Sequence, residues 1–228
     1  MLTPPTLDFL RLLKDNNNRD WFAANRPQYE TAKKEFELLI AQLLEGVAKY
    51  ENLPNTTAKD CIFRINRDVR FAKDKSPYKA WFSAAIGPGG RHSGRIDYYL
   101  HLQPDGESFL GAGMWAPTPK QLAKFRQEID FNAVALKSII EAPEFRGYFG
   151  QIWGESTKTA PKGYPADHPE IELLKRKQLL FLHKYSDNEV LNPNFAAEVA
   201  QGGQLIKPYC DFLNYLFFEE TDEEVDLS

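Results

Sequence analysis

Cysteine is nearly absent from this 228-residue chain, which has only Cys61 and Cys210, far apart in sequence and in apolar surroundings. That excludes a disulfide framework, and with no second cysteine at ligand spacing both are expected to be buried free thiols. Histidine is as sparse: His92, His101, His168 and His183 show no metal-ligand spacing. No serine sits in a G-x-S-x-G setting, so the chain offers no sequence signature of a metal centre, a cofactor or an activated nucleophile. No window reaches the roughly eighteen uncharged apolar residues of a membrane helix. The opening MLTPPTLDFLRLLKDNNNRD lacks the basic-then-apolar order of a signal peptide. Excess positive charge is missing too: 28 Lys and Arg against 32 Asp and Glu give −4 and a pI near 5.7. That argues against a general nucleic-acid coat. Together these absences predict a cytoplasmic protein with no membrane contact.

What is present is a core-forming composition, 43% hydrophobic and 13% aromatic, enough for a single domain over 1–218. The acidic segment 219–228 is expected to fray. Thr6 reads as the cap of a helix to about residue 14, with Leu7, Leu10 and Leu13 on one face. Asn18 caps a short turn bearing Trp21 and Phe22. Pro27 opens the longest helix, to about Tyr50, striped by Phe36, Leu39, Ile40, Leu43, Leu44 and Val47. Its other face (Lys33, Lys34, Glu37, Gln42, Glu45) reads as solvated.

The period then changes to two. Strands are expected over 62–71, 80–87, 96–103 and 108–115, an antiparallel meander. The turn Pro104–Glu107 joins the last two, and its simplest register sets Gln103 against Ser108, and Tyr98 and Leu100 against Gly111 and Gly113. From Thr118, a capping box with Pro119 behind it, the chain returns to helices. One runs to about 131, another over 132–141, and a third starts at His168-Pro169 and carries Leu174 and Leu180. Two more, 194–201 and 208–218, are split by Gly202-Gly203. The fold class is α+β, an antiparallel sheet of about four strands (roughly 62–115) covered by N-terminal and C-terminal helices.

Four phrases, NNNRDWFAANRPQYE, FRINRDVRFAKDKSPYKAWF, YYLHLQPDGESFLGAGMW and KTAPKGYPADHPEIELLKRK, together resemble the uncharacterised family called domain of unknown function 2461. The resemblance spans about 6–216. It implies an α+β domain and carries no established activity, cofactor or partner. The Gly-rich loop Gly87–Gly94, with Arg91-His92, looks particular to this sequence.

The anomaly is the stretch Arg64–Lys79, RINRDVRFAKDKSPYK. It holds Arg64, Arg67, Arg70, Lys73, Lys75 and Lys79 against Asp68 and Asp74, +4 within a chain of −4, so the remainder carries −8. Guanidinium forks suit phosphate and carboxylate oxygens. The expected function is therefore a binder of a small anionic, phosphate-bearing ligand or a short single strand. Arg64, Arg67, Arg70, Lys75, Lys79 and Lys162 would hold charge in a cleft, with Tyr78, His101 and Trp115 beside them. At three-residue spacing in a regular strand, Arg64 and Arg70 share a face while Arg67 points the other way, so convergence of the arginines needs a bulge or turn. Two alternatives stay open: an enzyme acting on such an anion with His101 or Tyr78 as acid or base, and a structural or interaction domain whose arginines form an internal salt-bridge network. The Gly87–Gly94 loop reads as a mobile hairpin loop or as a nest of N–H groups for an anion. Gly111 and Gly113 read as close packing or as the floor of a shallow groove walled by Trp115.

Overall fold

Two polar side chains set the first turns of the fold. Asn18 accepts from the Trp21 N–H at 2.9 Å and starts α2 (Arg19–Ala24). Thr118 accepts from the Gln121 N–H at 3.2 Å and opens α5 (Pro119–Ile140) as a full capping box. Each satisfies an orphan helix donor that the sequence advertises, reciprocally only at Thr118. The first helix differs: α1 spans Pro4–Asp15, so Thr6 lies inside it. Glu35 does the tying there, its carboxylate accepting from the Thr3 N–H at 2.9 Å and the Thr6 hydroxyl at 2.6 Å.

The computed structural model describes residues 1–218; the acidic segment 219–228 lies outside them. The chain divides into two compact units, Met1–Gly111 with His183–Gln204, and Ala112–Leu182 with the chain from Leu205 on. The fold is α+β, with one four-stranded antiparallel sheet in the order β1 (Phe82–Ile86), β2 (Tyr98–Leu102), β3 (Ser108–Met114), β4 (Leu179–Tyr185). Among the described residues no helix is long and apolar enough to cross a membrane.

In the first unit α3 (Arg26–Val47) buries the whole expected stripe from Phe36 to Val47. Phe36 stacks on Phe82 of β1 with centroids 5.2 Å apart, and Ala84 pairs with Leu100 across β1 and β2. Phe82, Ala84, Ile86, Tyr98, Leu100 and Leu102 are all buried, alternate residues of one sheet face. The half-buried face opposite carries Tyr99, His101 and Phe109, with His101 stacked on Phe109 at 4.8 Å.

Four expectations need correction. Residues 62–71 do not form a strand. The chain from 62 to 67 is held to 77–84 by isolated bridges, Ile62 with Ala84 and Asn66 with Tyr78. Pro77 accepts from the Arg67 N–H at 2.9 Å but has no N–H to return, which interrupts the ladder. The fourth strand is instead β4, from a segment expected to be helical. There α7 stops at Ile171–Leu174, and Leu179, Phe181 and Tyr185 are buried with the two-residue period of a strand. The β2–β3 register is one residue off, Tyr99 facing Gly111, because the Ser108 hydroxyl itself accepts from the Gln103 N–H at 3.0 Å and donates to the Gln103 C=O at 2.8 Å. Finally, Gly202-Gly203 do not split the last helix, which runs as α9 over Phe195–Phe218. A Cβ on Gly203 would meet the Tyr50 hydroxyl at 2.5 Å, so the glycine serves a close approach rather than a break. The expected break inside α5 is present, at Asn132 (φ −151°, ψ 71°).

In the second unit Tyr209 is fully buried against Phe181 (5.0 Å) and donates its hydroxyl to the Leu179 carbonyl at 3.0 Å. A Cβ on Gly113 would lie 1.8 Å from the Leu179 carbonyl oxygen. The backbone of β4 thus takes the space that a glycine-floored groove would need. Cys61 and Cys210 are free and buried, as expected.

The first unit also depends on one carboxylate. Asp187 accepts from the N–H groups of Asp105 (3.1 Å) and Gly106 (3.0 Å) and pairs with Arg11 at 2.5 Å. Asp187→Ala leaves those turn donors without their acceptor and should lower the unfolding free energy in urea by about 1–2 kcal/mol. Asp187→Asn should recover much of it. A loss below about 0.5 kcal/mol in the alanine variant would mean that water replaces the carboxylate at this turn.

Candidate functional site

The Gly-rich loop is docked, not loose. Gly90 sits at φ +60° with the Asp60 carbonyl oxygen 2.5 Å from where a Cβ would be, a closeness that only glycine allows. Gly89 donates its N–H to Thr56 Oγ1 at 3.2 Å, and residues Gly90–His92 form a 3-10 turn. Arg91 then reaches across to the end of α4 (Ala58–Cys61). Its Nη1 donates to the carbonyls of Asp60 (2.9 Å), Ile62 (3.1 Å) and Lys59. A helix end leaves such carbonyls unpaired, and a cation there is favourable. The loop is held by what it satisfies.

This docking closes one side of a cavity of about 650 Å³ in the first unit. Arg91, His92 and Lys59 form that side. The extended segment from Ile62 to Asn66 forms a second, with Phe63 and Arg64 in it, and Phe82 lies behind. The third side is α3, through Tyr29, Lys33, Phe36 and Glu37. Lys33 and Glu37, one helical turn apart, approach to 3.5 Å. The lining therefore carries Lys33, Lys59, Arg64 and Arg91 against Glu37, a net +3 with His92 neutral. The hydrogen-bond partners of the Arg91 guanidinium are carbonyls, not acids. Arg64 is exposed and has no hydrogen-bond or ion-pair partner among the described residues, feeling Asp68 only through space. A pocket lined by one sign of charge, with low-dielectric aromatic walls, concentrates the field within it.

Of the residues the sequence nominated, Arg64 alone lines this cavity. Arg67 is ion-paired with Asp74 and donates to the Ser76 carbonyl at 3.2 Å. Ser76 and Arg67 hold the Asp74 carboxyl well below the usual carboxylate range. Arg70 forks onto Asp68 at 3.0 and 2.7 Å, and Lys75 donates to the Val69 carbonyl at 3.0 Å. Tyr78 stacks on Phe22 at 3.9 Å, its backbone clamped by Asn17 at 2.9 and 3.1 Å. Lys79 lies 5.5 Å over the Phe63 ring, its pKa lowered by burial and by the charge of Arg64. His101, held 3.0 Å from Gln103, is pushed down by burial. Trp115 and Lys162 belong to the second unit, where Trp115 stacks on Trp153 at 5.4 Å and Lys162 is exposed. The helix expected to start at His168 begins only at Ile171, with Glu170 at its N-cap; His168 lies before it, its Nδ1 accepting the Glu170 N–H at 3.0 Å. No cluster of three or more His, Cys, Asp or Glu that would hold a metal occurs among the described residues.

Lys33, Glu37, Lys59 and Tyr29 were not legible as site residues. Lys33 and Glu37 sit on the face of α3 that reads as solvated, and no local pattern tells which partner segment will cross it. The Arg91-His92 pair was the available signal, a charged dipeptide inside a Gly-rich loop.

A family model described as "Conserved hypothetical protein (DUF2461)" matches residues 5–212. The chain belongs to that family. No curated protein and no solved structure matches it.

Beside the docked loop, Asp97 has its carboxyl pushed up to about 6 by burial, partly offset by its hydrogen bond with Ser93. A folded pKa above the unfolded one means stability present at low pH and lost as pH rises through about 6. Asp97→Asn should therefore gain melting temperature over the parent at pH 7.5 but not at pH 4, with the difference opening between those values. Parallel pH curves for the two proteins would show that Asp97 titrates like an exposed carboxylate.

Proposed function

We propose that this DUF2461 protein binds a small phosphate-bearing anion in the cavity between α3, the Ile62–Asn66 segment and the docked loop. One observation carries the reading: Arg64, a guanidinium without an internal partner, faces a cavity whose lining has a net charge of +3. An unneutralised fork at such a place is suited to phosphate or carboxylate oxygens. Lys59 and Lys33 would add charge around it, and His92 a ring nitrogen for hydrogen bonding. The volume, about 650 Å³, falls in the range of small-molecule sites and favours a compact ligand over a nucleic-acid strand. Arg67 and Arg70 face acids of their own loop, so they are assigned to holding that loop. With two free buried thiols, a reducing compartment is the fitting one, and we place the protein in the cytosol.

A thermal-shift and calorimetric screen with inorganic phosphate, pyrophosphate and sugar phosphates tests this. A ligand at a hundred times its Kd should raise stability by about 2.7 kcal/mol. Arg64→Ala should weaken binding at least tenfold, whereas Arg70→Ala should leave it within about twofold, and affinity should fall with added salt. Equal binding by the parent and Arg64→Ala would refute the assignment of the site.

A further inference from the structure

The same cavity is too large and too aromatic for an inorganic anion alone. Three of its positive side chains come from α4 (Lys59), the Ile62–Asn66 segment (Arg64) and the docked loop (Arg91), and the fourth, Lys33, lies on α3 beside Glu37. The rest is faced by Tyr29 and Phe63, with Phe36 and Phe82 buried behind them. Tyr29 is braced by Phe22 at 4.9 Å and by Phe82 at 6.4 Å, and Phe63 by Tyr99 at 6.1 Å. Both rings are half-buried and held by other rings, so a planar ligand would find surfaces already ordered. Base-on-aromatic stacking is worth about 1–3 kcal/mol per base and tolerates any base. Two polar groups stand beside these rings. Glu37 is the one carboxylate of the lining, with Lys33 3.5 Å away, and Asn66 offers an amide with both a donor and an acceptor. With Lys33 offsetting its charge, the Glu37 carboxylate can accept from an N–H-bearing heterocyclic edge of a ligand.

We infer that the ligand is a mononucleotide, its phosphate at Arg64 and Lys59 and its base between Tyr29 and Phe63 with its amine or imide edge toward Glu37. This rests on the anion-binding reading and goes further by requiring the base. The occupant is thus defined by three features at once: a doubly charged phosphate, a planar ring and an N–H edge.

Calorimetry on the full chain at low salt, with adenosine, guanosine, cytidine and uridine 5′-monophosphates beside ribose 5-phosphate and inorganic phosphate, separates the two claims. At least one mononucleotide should bind tenfold or more tighter than ribose 5-phosphate. Tyr29→Leu should erase that preference while leaving ribose 5-phosphate within about twofold, and Glu37→Gln should change which base is preferred. Ribose 5-phosphate binding as tightly as every mononucleotide would overturn the inference and leave the anion site standing. No binding by any phosphate ester would overturn both. Because the ligand comparison is made on the parent protein, it decides the matter even if Tyr29→Leu does not fold.

Discussion

One guanidinium ties together the segments from which the candidate site is built. Arg91 donates to the carbonyls of Lys59, Asp60 and Ile62, which fixes the Gly87–Gly94 loop against the end of α4 and against the segment leading to Arg64. Two of these carbonyls belong to a four-residue helix, too short to hold its own end by propagation, and the third to its C-cap Ile62. The bonds need Gly90 at positive φ beneath the Asp60 carbonyl. They also place His92 and Lys59 on one side of the cavity. Local satisfaction of backbone acceptors and the positive character of the pocket are consequences of the same contact.

The arginine-rich stretch illustrates why a count of charges does not tell which cations are paired with acids. Arg67 and Arg70 are three residues apart, as are Arg64 and Arg67, yet their environments differ. Asp74 and Asp68 lie within the loop between Arg67 and Pro77, close enough to be reached by the arginines beside them. The loop pairs Arg67 and Arg70 with its own two acids, and Phe71 within it is almost wholly exposed at 96%. Arg64 precedes that loop. No acid in its own segment reaches it, so its charge remains for whatever enters the cavity. Solvated pairs such as Arg70–Asp68 contribute little to stability, and their role is to set the loop's shape.

Aromatic side chains supply the frame around this polar region. Phe9, Phe22, Tyr29, Phe36, Tyr78 and Phe82 make a continuous set of ring contacts at 3.9 to 6.4 Å. Tyr78 belongs to this set, which is why it stacks on Phe22 in place of a ligand. His101 likewise belongs to a row of rings on the sheet, where burial disfavours its charged form. The residues that looked chemically available by type are the ones the core absorbed.

The sequence by itself determined the fold class, the apolar stripe of α3, the capped starts at Asn18 and Thr118, the break near Asn132 and the burial of both thiols. Each follows from a period or from chemistry within a few residues, where hydrogen-bond reach and helix or strand geometry leave few choices. Tertiary structure alone decided the rest. The ladder failed at Pro77, Ser108 moved a register by one residue, and Leu179–Tyr185 became the last strand because a sheet edge was there to pair with it. It also decided which cations oppose acids and which face a cavity, since Lys33, Lys59 and Arg64 come from three separate segments. Charges within a loop find each other through short-range chain geometry; charges from distant segments meet only where packing brings their backbones together.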